Sequence, residues 1–155
     1  MGIFSSKSKD KELEVNFAMV AGISGIGKGT AVAVGLKDNT IYIRQRLNKS
    51  EPYSLNINKV TRVAVLTETE ILQKQKSVVG RSLVGNVILG PLGAIIGGMS
   101  GIGSKKTKNV KYYMIINYIS DEEKAISFEI VGASVGWGKL VKAINERLPK
   151  ESREL

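Results

Sequence analysis

Ser82-Leu-Val-Gly-Asn-Val-Ile-Leu-Gly-Pro-Leu-Gly-Ala-Ile-Ile-Gly-Gly-Met-Ser-Gly-Ile-Gly-Ser104 runs without a single charged residue, and how it is read decides the fold. Gly93, Gly97 and Gly101 recur at every fourth position, the small-xxx-small spacing that lets two helix backbones approach closely. Gly85 and Gly90 add to the glycine content, Arg81 precedes the stretch, and Lys105, Lys106 and Lys108 follow it. As one helix the stretch is long enough to cross a bilayer core of about 30 Å. The Gly90-Pro91 pair predicts a bend instead, with arms over Ser82–Leu89 and Leu92–Ile102. At the helical rise such arms reach roughly 12 to 16 Å, about half a bilayer core. The better expectation is therefore a hairpin, inserted over residues 77–104 and projecting from a single domain.

The flanks support that choice, because both sides read as strands that one span would separate. Val15-Asn-Phe-Ala-Met-Val-Ala21 alternates apolar with polar or small residues. Thr30–Leu36 and Thr40–Arg44 follow, joined by a turn at Asp38-Asn39. Pro52 punctuates the chain before Tyr53–Ile57, and the β-branched Val60–Thr67 makes a fifth strand. Glu68–Lys76 is charged and begins a helix. Beyond the insertion, Val110–Ile119 is apolar on both faces, as in a strand covered on each side. A turn at Ser120–Glu123 leads to a seventh strand over Lys124–Val131. The period then becomes helical: Trp137, Leu140, Val141, Ile144 and Leu148 form one apolar stripe that ends at Pro149.

The 155 residues contain 23 Lys and Arg against 14 Asp and Glu, a formal charge of +9, with no Cys and no His. Such a balance favours anionic partners, whether nucleic acid, lipid headgroups or an acidic protein surface. Without Cys or His, thiol chemistry, Cys or His zinc sites and any His-based triad are excluded. The absence of Cys fits a reducing cytoplasm. Residues 1–12 read as a flexible basic arm without the apolar core of a secretory signal, and residues 150–155 as a tail.

Gly22-Ile-Ser-Gly-Ile-Gly-Lys-Gly-Thr30 resembles the phosphate-binding loop of nucleoside-monophosphate kinases. In that reading the backbone at Gly27 cradles phosphates, Lys28 reaches the terminal ones, and the Thr30 hydroxyl holds magnesium. The motif requires a strand before it and a helix after it. Here Gly35 and the Asp38-Asn39 turn leave little room for a helix, and no second apolar strand ends in Asp. The alternative reading is a flexible loop between antiparallel strands. Tyr112, Tyr113 and Tyr118 together with the positive charge suggest a further alternative, base stacking by a nucleic-acid-binding sheet.

Seven strands followed by one amphipathic helix resemble the pleckstrin-homology-like (PH-like) superfold, in particular bacterial domains of the PH or GRAM type. The resemblance runs from about Leu13 to Leu148 and rests on element order. It implies a mainly β protein: a seven-stranded antiparallel barrel or sandwich over residues 13–149, plugged by the C-terminal α-helix. The glycine-rich hairpin then falls between strands 5 and 6, a departure from the ordinary plan of the family. The expected function is a non-enzymatic interaction module, with no catalytic or metal site and no cofactor. Its hairpin, through Gly85, Gly90, Pro91, Gly93, Gly97 and Gly101, self-associates into a homo-oligomer or attaches to the inner face of a membrane. Arg81, Lys105, Lys106 and Lys108 would meet anionic headgroups at about 1 kcal/mol each. A third way to cover the apolar hairpin is to fold it back onto its own barrel.

Overall fold

The computed structural model describes residues 13–48, 50–76, 87–100 and 110–149. Seven strands, β1 (Leu13–Ala21), β2 (Ala31–Lys37), β3 (Thr40–Gln45), β4 (Tyr53–Asn56), β5 (Val60–Thr67), β6 (Tyr112–Ile119) and β7 (Glu123–Ile130), form one antiparallel sheet. Its order is β4-β3-β2-β1-β7-β6-β5. Strand β1 serves both halves. Leu13 to Ala18 pair with β2, and Ala18 to Ala21 pair with β7 across an irregular register between Met19 and Ala21. An irregularity of this kind bends a strand and increases its twist, which is how one sheet curls around a core. The expected strands are all present, with ends differing by one or two residues.

Alternation decides which side chains enter that core. Val15, Phe17 and Met19 point inward from β1 and meet Val32, Val34, Ile41, Ile43, Met114, Ile116 and Phe128. The rings of Phe17 and Phe128 lie 5.6 Å apart at a tilted 42°, within the range favoured by aromatic pairs. Asp38 takes a left-handed φ of 56° in the two-residue turn between Lys37 and Thr40, a conformation that Asp tolerates better than most residues.

Helix α3 (Trp137–Arg147) closes the interior, as its stripe predicts. Leu140 and Ile144 are wholly buried in the barrel core, and Trp137, Val141 and Leu148 pack around them. The preceding turn is anchored by Ser134, whose Oγ accepts from the Val131 N–H at 2.9 Å and donates to the Asn16 carbonyl at 2.5 Å.

A second core lies on the outer face of the sheet, and helices α1 (Glu68–Lys76) and α2 (Leu92–Ser100) cover it. Thr67 and Glu70 start α1 reciprocally: Thr67 Oγ1 accepts from the Glu70 N–H at 3.1 Å, and Glu70 Oε1 accepts from the Thr67 N–H at 2.8 Å. Strand β6 is consequently buried on both sides. Met114 and Ile116 face the barrel interior, while Tyr113 and Ile115 face the helices.

Among the described residues no helix is long and apolar enough to cross a membrane, α2 being nine residues. One expectation is corrected here: the described part of the insertion does not project. Val87, Leu92 and Ile96 are buried against the sheet, because the exposed outer face of β5, β6 and β7 offers apolar surface at no distance from the chain.

Candidate functional site

The insertion leaves and rejoins the barrel at one place. Thr67 pairs with Tyr112 in the sheet, and the Glu68 N–H donates to the Lys111 carbonyl at 3.0 Å. Everything between these residues is thus an addition to the β5–β6 connection. Residues 87–89 pass beside β6, where Asn117 holds Ile88: its Oδ1 accepts from the Ile88 N–H at 2.8 Å and its Nδ2 donates to the Ile88 carbonyl at 2.7 Å. Asn117 is only 1% exposed, and this pairing satisfies a polar side chain that burial otherwise penalises.

Gly90 then turns the chain with a φ of +57° and passes so near β7 that a Cβ there would lie 3.1 Å from the Ala125 Cβ. Pro91 opens the helix, where its missing N–H is not needed, and the Ile95 N–H donates to the Pro91 carbonyl. Leu92, Gly93 and Ile96 turn inward and are buried, Ile95 is half-buried, and Pro91 and Ala94 are exposed. Burying Leu92 and Ile96 contributes about 1.5 to 3 kcal/mol each. Helix α1 packs beside α2, with Ile71 wholly buried between them and the sheet. Leu92–Ser100 contains no charged residue and only one polar one, Ser100, so a helix with one face against its own sheet also presents an apolar face outward.

The sequence-derived residues fall as follows. Gly90 and Pro91 form the expected bend. Gly93 is buried, and Gly97 lies one helical turn further along α2. Gly85, Gly101, Arg81, Lys105, Lys106 and Lys108 lie outside the described residues, as do the basic arm 1–12 and the tail 150–155.

Residues 22–30 do not form a phosphate-binding loop. They connect two antiparallel strands, Thr30 leads directly into β2, and Gly27 and Lys28 are exposed with no helix behind them. Gly22, Gly25 and Gly29 have φ of 115°, 95° and 91°, so these glycines serve the turn. Nor do the tyrosines form a stacking platform. Tyr113 faces the outer core, Tyr118 packs on the barrel interior and Tyr112 is exposed. Burial pushes the Tyr113 phenol well above its ordinary range, and the carboxylates of Glu129 and Glu68 push it further. No cluster of acidic residues that would hold a metal ion occurs among the described residues.

Asn117 was not among the candidates, although the sequence carries a signal for it. It is the one amide in the apolar run Tyr112–Ile119, and a polar residue in a doubly covered strand needs a partner close by.

A curled antiparallel sheet of seven strands closed by a C-terminal helix is the PH-like architecture. A family model described as a glycine zipper containing PH domain matches residues 22–131, and the chain belongs to that family. No curated protein matches the sequence.

Proposed function

We propose that the chain is a non-enzymatic PH-like interaction module that self-associates through the outward face of α2 and the glycine-rich segment around it. One observation carries this reading: α2 has no charged side, yet Pro91 and Ala94 are exposed and Ile95 is only half-covered. An apolar helix of this kind gains from a second apolar surface, and its small residues let another backbone come close. Two copies related by a two-fold axis would present the same face to each other. PH-like domains generally bind partners without catalysing reactions, which agrees with this role.

A second reading places the same face on an anionic membrane surface at the cytoplasmic side. The net charge of +9 and the cluster of basic residues around the insertion favour it. Light scattering on the intact protein and on Ala94→Glu, with flotation on vesicles containing anionic phospholipid, separates the two. Self-association predicts an oligomer that the substitution reduces to a monomer with or without lipid. An intact protein that is monomeric at all concentrations and floats only on anionic vesicles would replace the first reading by the second.

A further inference from the structure

Residues 87–91 and α2 sit on the outer face of the sheet through contacts that any copy of the segment would satisfy. Ile88 is held by its main chain alone, through the Asn117 amide on β6. Gly90 passes so near β7 that a Cβ there would lie 3.1 Å from the Ala125 Cβ. Val87, Leu92 and Ile96 then bury apolar side chains in the outer core. The seat thus reads one backbone unit, one glycine and one apolar helix, in that order.

No strand holds the segment in place. Among the described residues β6 pairs with β5 and β7, and β7 pairs with β6 and β1, so the segment can leave the sheet without breaking a strand pair. Its two connections, residues 77–86 and 101–109, are ten and nine residues long. A chain of nine residues spans up to about 30 Å, roughly the diameter of a small domain. That is enough to reach the same seat on a second copy.

The outer layer is also the less complete of the two cores. Ser127 alternates with Ile126 and Phe128 on β7, so it points away from the barrel interior. It is wholly buried, yet its Oγ has no hydrogen-bond partner among the described residues. Burial penalises such a group, which lowers the cost of parting the layer relative to opening the barrel.

We propose that two copies of this chain exchange the segment, so that residues 87–91 and α2 of each lie on the outer sheet face of the other. The inference rests on the self-association proposed above and names the residues that each copy contributes to the other. Exchange keeps every contact of the closed chain: the Asn117 amide of one copy holds Ile88 of the other, and Gly90 of one lies on Ala125 of the other. What is lost on leaving one sheet is regained on the next, so protein concentration and the two connections set the balance, not the strength of the seat. A two-fold contact through the outward faces of α2 brings each segment to the other copy's seat and favours the exchanged form.

The chain has no cysteine, so paired thiols report which copy supplies the segment. Disulfides join Cβ atoms about 3.5 to 4.5 Å apart, and the 3.1 Å between positions 90 and 125 is within a few tenths of an ångström of that range. Chains carrying Gly90→Cys and Ala125→Cys are mixed in equal amounts, unfolded in urea, refolded together and oxidised mildly. Exchange predicts at least tenfold more covalent heterodimer than Gly90→Cys mixed with Glu51→Cys. The double variant Gly90→Cys with Ala125→Cys is expected to run as a covalent dimer on a non-reducing gel. Should Gly90→Cys disturb the turn, a measurement without substitutions decides. Nitrogen-labelled and carbon-labelled native chains are refolded together, and an isotope-filtered NOE is expected between the Asn117 side-chain amide of one and Ile88 of the other. A dimer by light scattering that lacks this NOE, or whose double variant closes its disulfide within one chain, would overturn exchange and leave self-association standing. A monomer at every concentration would overturn both.

Discussion

Asn117 pairs with the backbone of Ile88 as a neighbouring strand would, accepting from its N–H at 2.8 Å and donating to its carbonyl at 2.7 Å. A single side chain on β6 thus does for residues 87–89 what a ladder does for a strand, and it sets where α2 begins. Asn117→Ala leaves two part-buried backbone groups without their partner, each costing up to about 1 to 3 kcal/mol. A loss of roughly 2 to 6 kcal/mol in urea unfolding is expected. Hydrogen exchange adds the specific readout: the Ile88 amide loses protection well before the amides of β1 to β3. Unchanged protection at Ile88 would contradict the role given to Asn117.

Gly22 and Gly29 both have φ in the left-handed region, yet only one is crowded. A Cβ at Gly22 meets the Ala125 carbonyl and the Ile126 Cα, whereas a Cβ at Gly29 meets nothing within 4 Å. Gly29→Ala should cost about 1 to 2 kcal/mol from backbone strain alone. Gly22→Ala adds the displacement of β7 and should exceed it by at least about 1 kcal/mol. Denaturation midpoints of the two variants measured side by side decide this, and equal losses would show that the β1–β2 loop does not bear on β7 as described.

Tyr113 makes the stability of the outer core depend on pH. Its phenol is held neutral by burial and by Glu129 and Glu68, so its folded pKa lies above the unfolded value of about 10. The folded state therefore keeps a proton that the unfolded state releases. The corresponding stabilisation is complete below pH 10 and declines as the pH rises above it, by up to about 1.4 kcal/mol per pH unit. Tyr113→Phe carries no such proton. Between pH 9 and pH 11 the native chain should lose stability relative to the variant; a constant difference across that range would mean that the phenol titrates normally.

Period and alternation were enough to place all seven strands and α3, because the interior core takes every second residue of β1 to β3 and every third or fourth of α3. The doubly apolar pattern of Tyr112–Ile119 also announced that something covers the outer face. What covers it was harder to read. Leu92, Ile95 and Ile96 suit lipid, a second copy and the molecule's own sheet equally well, since all three are apolar and the sequence carries no term for distance. The deciding features are local and tertiary: the amide of Asn117 meeting Ile88, and Gly90 passing over Ala125. Gly22–Thr30 misled for a related reason. A string of glycines with Lys28 fits a phosphate cradle and a wide antiparallel turn alike, and only the strand that follows Thr30 distinguishes them.

The outward face of α2 is the centre of the functional account, and the chain's lack of cysteine allows one direct measurement. Ala94→Cys places a single thiol on that face, and Glu51→Cys places one at an exposed position on the β3–β4 hairpin as the comparison. Under mild oxidation at equal protein concentration, a two-fold contact between α2 helices predicts that the Ala94→Cys chain forms a covalent dimer at least tenfold faster than the Glu51→Cys chain. Equal, slow cross-linking of both would contradict self-association through this face.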